Sequence, residues 1–184
     1  MSTFIPGGVP PALHGQVAQL IARADPFSRM HKVQDKATKK PVPFIPSPMQ
    51  TKIFEAVEAG HSRIAVIKAR QVYATTGCKM VLHQMAYSTP YAAMHAVISM
   101  REDSATSLLD DNRRWLEDVP ALLKRPIRTK ARAKVVYDDT GASLQAFTSR
   151  SATGLRSFTP TAAVISEAAF APDLEETIAQ ADAA

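Results

Sequence analysis

Residues Ile64 to Ile67 form a continuous apolar run, partly β-branched, that stops at Lys68 and gives way to a short stretch carrying Arg70, Gln71, Tyr73, Thr75 and Thr76. A run of that length and type suits a strand buried on both faces of a parallel sheet. Beyond Thr75 and Thr76, either of which can cap a helix, the apolar residues Cys78, Val81, Leu82 and Met85 recur at helical spacing. Strand, loop and helix N-terminus in this order bring backbone N–H groups and the positive end of a helix dipole to one spot, the arrangement a nucleoside phosphate requires. The common phosphate-loop form G-x-x-x-x-G-K-[ST] is absent, with Tyr73 and Ala74 where its second Gly and its Lys would fall. Lys68 and Arg70 nevertheless supply cations at the strand end, and Thr75 or Thr76 a hydroxyl for Mg²⁺. The plain alternative is a β-α turn with a solvated Lys and Arg.

The remaining chain alternates strands and helices around this stretch. Ser47, Pro48 and Gln50 are in N-cap, first-turn and capping-box positions of a helix whose apolar face is Met49, Ile53 and Val57 and whose end is Gly60. Residues 93 to 100 read as a second buried strand. Ala105, Leu108, Leu109, Asn112, Leu116 and Val119 then line one face of a helix stopped by Pro120, with Trp115 beside the stripe as a core or interface anchor. Lys134 to Asp138 and Ser143 to Phe147 flank the turn sequence around Gly141 and predict a hairpin. Ala162 to Ile165 is a further short buried strand ending in Ser166 and Glu167, and a last helix is predicted with Leu174, Ile178 and Ala181 on its apolar face. A carboxylate directly after an apolar strand is what nucleotide hydrolysis needs in order to polarise the attacking water. The order indicates an α/β fold with right-handed crossovers. Residues 1–46, rich in proline and carrying one predicted helix from His14 to Ala24, read as an arm or linker, and 47–184 as the main domain.

Composition narrows the classes. A chain of 184 residues, 46% hydrophobic and 21% charged, is globular in type. No apolar run approaches the ~20 residues that span a bilayer, and the first residues lack a signal peptide's pattern, so a cytosolic protein is expected. Cys78 is the only cysteine, which excludes an intrachain disulfide and a thiolate cluster, and the five histidines show no ligand spacing. The net charge of +5 favours a polyanionic partner, and Lys124, Arg125, Arg128, Lys130, Arg132 and Lys134 concentrate it in one run suited to tracking phosphates.

Lys68, Arg70, Gln71, Thr75 and Thr76 together resemble the variant loop K-x-R-Q-x-G-x-[ST]-T of the large terminase subunits of tailed bacteriophages, the motors that pump DNA into capsids, with Tyr73 in place of Gly. Phe44 to Gln50 resembles the adenine-binding motif that precedes that loop, in which an aromatic stacks on adenine and a Gln reads its edge. Gly154, Leu155 and Arg156 resemble a G-L-R-G segment of the same family. Val164 to Phe170 is similar to its second nucleotide motif, four apolar residues, Asp-Glu and Ala-Ala-Phe, with Ser166 at the Asp position.

The resemblance runs from about Phe44 to the C-terminus and implies a three-layer αβα P-loop NTPase fold of the ASCE/RecA-like kind, with a mainly parallel sheet incomplete at its C-terminal side and no nuclease domain. It implies an ATP- and Mg²⁺-dependent hydrolase powering translocation of double-stranded DNA into a procapsid, with hydrolysis weak or lost because of Tyr73 and Ser166. Lys68 would neutralise phosphates, and Thr76 or Thr75 would meet Mg²⁺ with Ser166 nearby. Arg70 would act as an arginine finger or sensor, and Glu167 would activate water. The implied partners are a portal protein, a small terminase subunit, DNA and further copies in a ring, in the host cytoplasm and transiently on the procapsid, with no membrane. The alternative is a non-catalytic, truncated or prophage-derived α/β fragment that binds DNA through Lys124 to Lys134, and a helicase fragment would share the fold.

Overall fold

The computed structural model describes residues 3–35, 37–67, 73–148 and 159–168, together with Glu175, Ile178 and Ala179. Helices α1 (His14–Ala22) and α2 (Ala24–Ser28) are followed by a two-stranded antiparallel ribbon of β1 (Lys32–Gln34) and β2 (Pro41–Pro43). Next come α3 (Pro48–Glu58), α4 (Ala74–Ser88), β3 (Met94–Ser99) and α5 (Glu102–Asp118). Strands β4 (Ile127–Ala131), β5 (Lys134–Tyr137), β6 (Ser143–Thr148) and β7 (Pro160–Ile165) complete the described elements. Among the described residues these strands and β3 form one sheet in the order β4-β5-β6-β3-β7.

The sheet is mixed. β3 runs parallel to both β6 and β7, whereas β4–β5 and β5–β6 are antiparallel. The α/β architecture expected from the sequence is present, and the antiparallel pairs follow from the connections: β4 and β5 are joined by a tight turn and β5 and β6 by another, which enforces antiparallel pairing. Central β3 is buried at every position, as its apolar run requires. Its pleat sends Val97 to one face, into a core shared with Leu109, Trp115, Val135 and Leu144, while Ala96 and Ile98 form a separate cluster with Phe147 and Ile165 on the other. α4 and α5 occupy the first face. The second helical layer of the expected three-layer arrangement is not among the described residues.

α4 is the hub, in contact with α1, α2, α3, α5 and strands β3, β6 and β7. Met80, Leu82, His83, Ala86 and Tyr87 are each no more than 2% exposed, so this helix is buried on several sides and not merely along one stripe. The predicted arm is part of the same core: Val9, Val17, Ile21, Ala24 and Phe27 pack into it together with Phe54 and Met80. Its prolines serve both purposes: Pro11 starts the single turn of 3-10 helix before α1, while Pro41 and Pro43 lie in the extended strand β2.

α3 begins with the predicted capping box, Ser47 and Gln50 bonding each other's backbone amides, and ends at Gly60 with φ 82°. α5 ends before Pro120, and β5 pairs with β6 about the turn at Gly141, both as read from the sequence. One strand expectation fails. Residues 64–67 are extended but belong to no strand; Ile67 is 96% exposed and Ile64 39%. A strand exists only through a ladder partner, and this segment pairs with neither edge strand of the described sheet, β4 or β7. It lies instead beside α3, closing a cleft of about 200 Å³ with Met49, Lys52 and Ile53. β7 is buried only at Pro160 and is exposed at Thr161 and Ala163, because it is an edge strand and not the fully buried one expected.

Candidate phosphate site at the carboxyl ends of the parallel strands

α4 packs on β3 and is joined to it by the short connection 89–93. A helix that feeds a strand of its own sheet through so short a link returns antiparallel to it, which brings the start of α4 toward the end of β3. The lengths agree: 15 helical residues extend about 22 Å and six strand residues about 20 Å. β7 is parallel to β3, and the Ser166 amide donates to the Ile98 carbonyl at 2.9 Å, which continues the ladder one residue past the strand. Ser166 and Glu167 therefore emerge at the same end of the sheet as the first turn of α4. Ligands of open α/β sheets bind at this end, outside the strand termini.

The first turn of α4 is poorly compensated by its own residues. Its N-cap is Tyr73, not Thr75 or Thr76 as expected, with φ 57° and ψ 11°, no side-chain cap and no acid in the first turn. Thr75 and Thr76 fall inside the helix, both half-buried. Leading amides of a helix have no intrahelical acceptor, so this end presents donors and a positive dipole to an anion. Glu167 is exposed and also left-handed, at φ 57°, and Ser166 before it is half-buried. Left-handed backbone at non-glycine residues is costly and concentrates at functional turns. Two of the three such residues among those described, Tyr73 and Glu167, begin and end the elements that converge here, the third being Lys39 in the β1–β2 turn.

Lys68, Arg70 and Gln71 lie outside the described residues, as does the segment with Gly154, Leu155 and Arg156; Leu174 and Ala181 of the expected last helix are also outside. Phe44, expected to face a base, is in the core at 2% exposure. Gln50 is 4% exposed, its Oε1 accepting from the Ser47 amide at 2.8 Å and its Nε2 donating to the Tyr73 carbonyl at 2.9 Å. A Cβ at Gly77 would come within 2.8 Å of Gln50 Cγ, so α3 and α4 touch closely at their starts. This contact joins elements 23 residues apart, and nothing in local spacing announces it.

Behind the first turn, Lys79 of α4 is 5% exposed and ion-paired with Asp111 of α5; burial pushes its ammonium down to about 8. Asp111 also takes Arg114 of its own helix, so the Lys79–Asp111 pair is what ties the interior of α4 to that of α5 by charge. The sequence reading missed Lys79, and its signal was a lysine at a helix position otherwise lined with apolar neighbours.

The basic run is only partly a surface. Arg125 is corrected: its side chain is wholly buried, ion-paired with Asp139, donating to the Tyr87 carbonyl and at 2.5 Å to Thr140 Oγ1, and stacked 3.9 Å from the Phe4 ring and 4.2 Å from that of Tyr137. Lys124, Arg128, Lys130 and Arg132 are exposed and Lys134 is half-buried; Lys130 pairs with Glu117 at 2.8 Å and Arg132 with Asp103 at 3.1 Å. Arg128 and Lys130 belong to edge strand β4.

Among the described residues no group of three or more His, Cys, Asp or Glu could hold a metal ion, and no helix is long and apolar enough to cross a membrane. Comparison of the chain with protein-family models and with curated proteins finds no match. The class defined so far is an α/β protein whose described strands form a mixed five-stranded sheet and whose helix α4 starts without a side-chain cap.

Proposed function

We infer that this chain is the nucleotide-binding part of a DNA-packaging ATPase of the large-terminase kind, built on a P-loop NTPase fold of the ASCE/RecA-like class. The observation that carries the reading is the convergence, at one end of the sheet, of the α4 start and the Ser166–Glu167 turn after β7. In the sequence Lys68 and Arg70 come six and four residues before Ala74, the first residue of α4. Motif order along the chain gives the same pairing of phosphate loop and second acid.

In this reading Lys68 and the leading α4 amides hold the phosphates, and Arg70 offsets charge on the transferred phosphoryl group. Glu167 holds and polarises the attacking water. The oxygen donors at hand, the hydroxyls of Thr75, Thr76 and Ser166 with one carboxylate at Glu167, fit a magnesium ion that keeps several waters and is shared with the nucleotide. Such an ion neutralises phosphate charge when bound. Ser166 offers a hydroxyl and no charge where an aspartate would offer both, so slow turnover is expected. The partners are double-stranded DNA, a portal protein, a small terminase subunit and further copies of the chain, in the host cytoplasm.

Calorimetric titration with Mg-ATP tests the reading. Binding in the micromolar to millimolar range is expected, and Lys68→Ala weakens it by about tenfold or more, or about 1.4 kcal/mol. Absence of binding in both proteins contradicts it. A second reading, a non-catalytic DNA-binding domain, rests on exposed Lys124, Arg128, Lys130 and Arg132 along and beside edge strand β4. It predicts steeply salt-dependent duplex binding without any nucleotide effect.

A further inference from the structure

The start of α3 and the start of α4 meet through one side chain. Gln50 spends its carbonyl oxygen on the Ser47 amide and its NH₂ on the Tyr73 carbonyl, and that same carbonyl accepts the Gly77 amide at 3.1 Å as the first intrahelical bond of α4. Tyr73 is the left-handed residue at which the chain turns out of residues 68–72 into the helix. Its peptide group sets the direction of the first-turn amides. Gly77, one turn into the helix, leaves room for nothing larger than hydrogen against Gln50 Cγ. The clamp is thus closed from both sides: a short amide bond above and a Cβ-free surface below.

The same geometry turns the two expected base readers, Phe44 and Gln50, away from a ligand. Gln50 is 4% exposed with both ends of its amide engaged, and Phe44 is 2% exposed within the core. A side chain that recognises a ligand edge must turn a donor or acceptor toward it. Here the amide is turned toward the backbone of its own chain.

We propose that Gln50 is a positioning residue for the phosphate-binding turn, holding the Tyr73 carbonyl, and that the site takes the triphosphate of a nucleotide without selecting its base. The second half rests on the nucleotide-binding reading above; the first does not. Gln50 acts through Tyr73 and touches no reacting atom. Losing its NH₂ lets the Tyr73 peptide rotate, and the first-turn amides lose their common aim.

Gln50→Glu tests this, because a carboxylate still accepts from the Ser47 amide and so keeps the α3 cap, yet cannot donate to Tyr73. Gly77→Ala is the uncharged counterpart, pressing on Gln50 from below. Amide hydrogen exchange on the nucleotide-free protein is expected to quicken by about tenfold or more at Gly77 in both variants, with exchange in the middle of α3 unchanged. Unchanged exchange at Gly77 overturns the positioning role.

Titration with Mg-ATP and Mg-GTP then reads the ligand. Dissociation constants within about threefold of each other in the unaltered protein, both raised by the same factor in either variant, are the expected result. A preference for ATP beyond about tenfold that Gln50→Glu erases would show base recognition and overturn the proposal. If neither nucleotide binds the unaltered protein, the functional reading falls and the base-blind site with it, while the exchange measurement still decides what Gln50 does.

Discussion

Arg125 shows how far a residue's neighbours decide its role. In sequence it is one of six cations in a row, indistinguishable from Lys124 or Arg128. In the fold its guanidinium lies between two aromatic rings with its N–H groups committed to Asp139, Thr140 and the Tyr87 carbonyl. The partner carboxylate is 14 residues away and reaches it only because β5 and its turn fold back. A buried pair is worth little over an apolar replacement, but breaking it strands the remaining charge, which costs about 3–5 kcal/mol. Arg125→Ala is therefore expected to lower the unfolding free energy by about that much in a denaturant titration. The exposed Lys130→Ala should leave it nearly unchanged. A stability-neutral Arg125→Ala that instead lowers the salt dependence of DNA binding would return this residue to the surface patch.

At the scale of elements, α4 organises the chain, and its interior face is polar in a way that predicts pH sensitivity. His83, completely buried, sits among the rings of Phe27, His31, Tyr87 and Trp115, and neither of its ring nitrogens has a hydrogen-bond partner among the described residues. Burial holds it well below the usual histidine range and pushes His31 and His95 down to about 4, against a small opposing pull from Asp118 on His31 and from the Ser143 carbonyl on His95. The folded protein keeps these rings neutral while the unfolded chain protonates near 6.5. Stability is therefore whole above about pH 6.5 and falls as the pH drops toward 4, because the unfolded state alone takes up the protons. At pH 5 the loss is about 2 kcal/mol each for His31 and His95. Denaturation midpoints at pH 7.5 and pH 5 check this, and His83→Leu should flatten the profile; an unaltered midpoint in the parent protein contradicts it.

Elements whose signal is local were legible in the sequence. The capping box of α3, the apolar stripe and proline stop of α5, and the turn at Gly141 each specify themselves within a few residues. Residues 64–67 were misread because an apolar run becomes a strand only by pairing, and whether it pairs is decided by distant chain and not by its own residues. The start of α4 was displaced to Thr75 for a similar reason: its N-cap depends on a left-handed Tyr73 braced by Gln50 from another helix. β4 escaped notice because an edge strand alternates charges with small residues and looks like a loop.

Over the whole molecule, the account comes down to the parallel trio β6-β3-β7 aligning two segments that are some ninety residues apart in the chain. The start of α4 offers amides, and the turn after β7 offers a hydroxyl and a carboxylate. Ninety residues of intervening chain, including α5 and the β4–β5–β6 meander, serve to bring β7 beside β3 in the right direction. The sharpest measurement follows the backbone amide resonances of Thr75, Thr76, Ser166 and Glu167 while magnesium and a non-hydrolysable ATP analogue are added. One shared saturation curve at all four positions is the predicted result; resonances that stay still, or that move at one turn and not at the other, would contradict a common phosphate site.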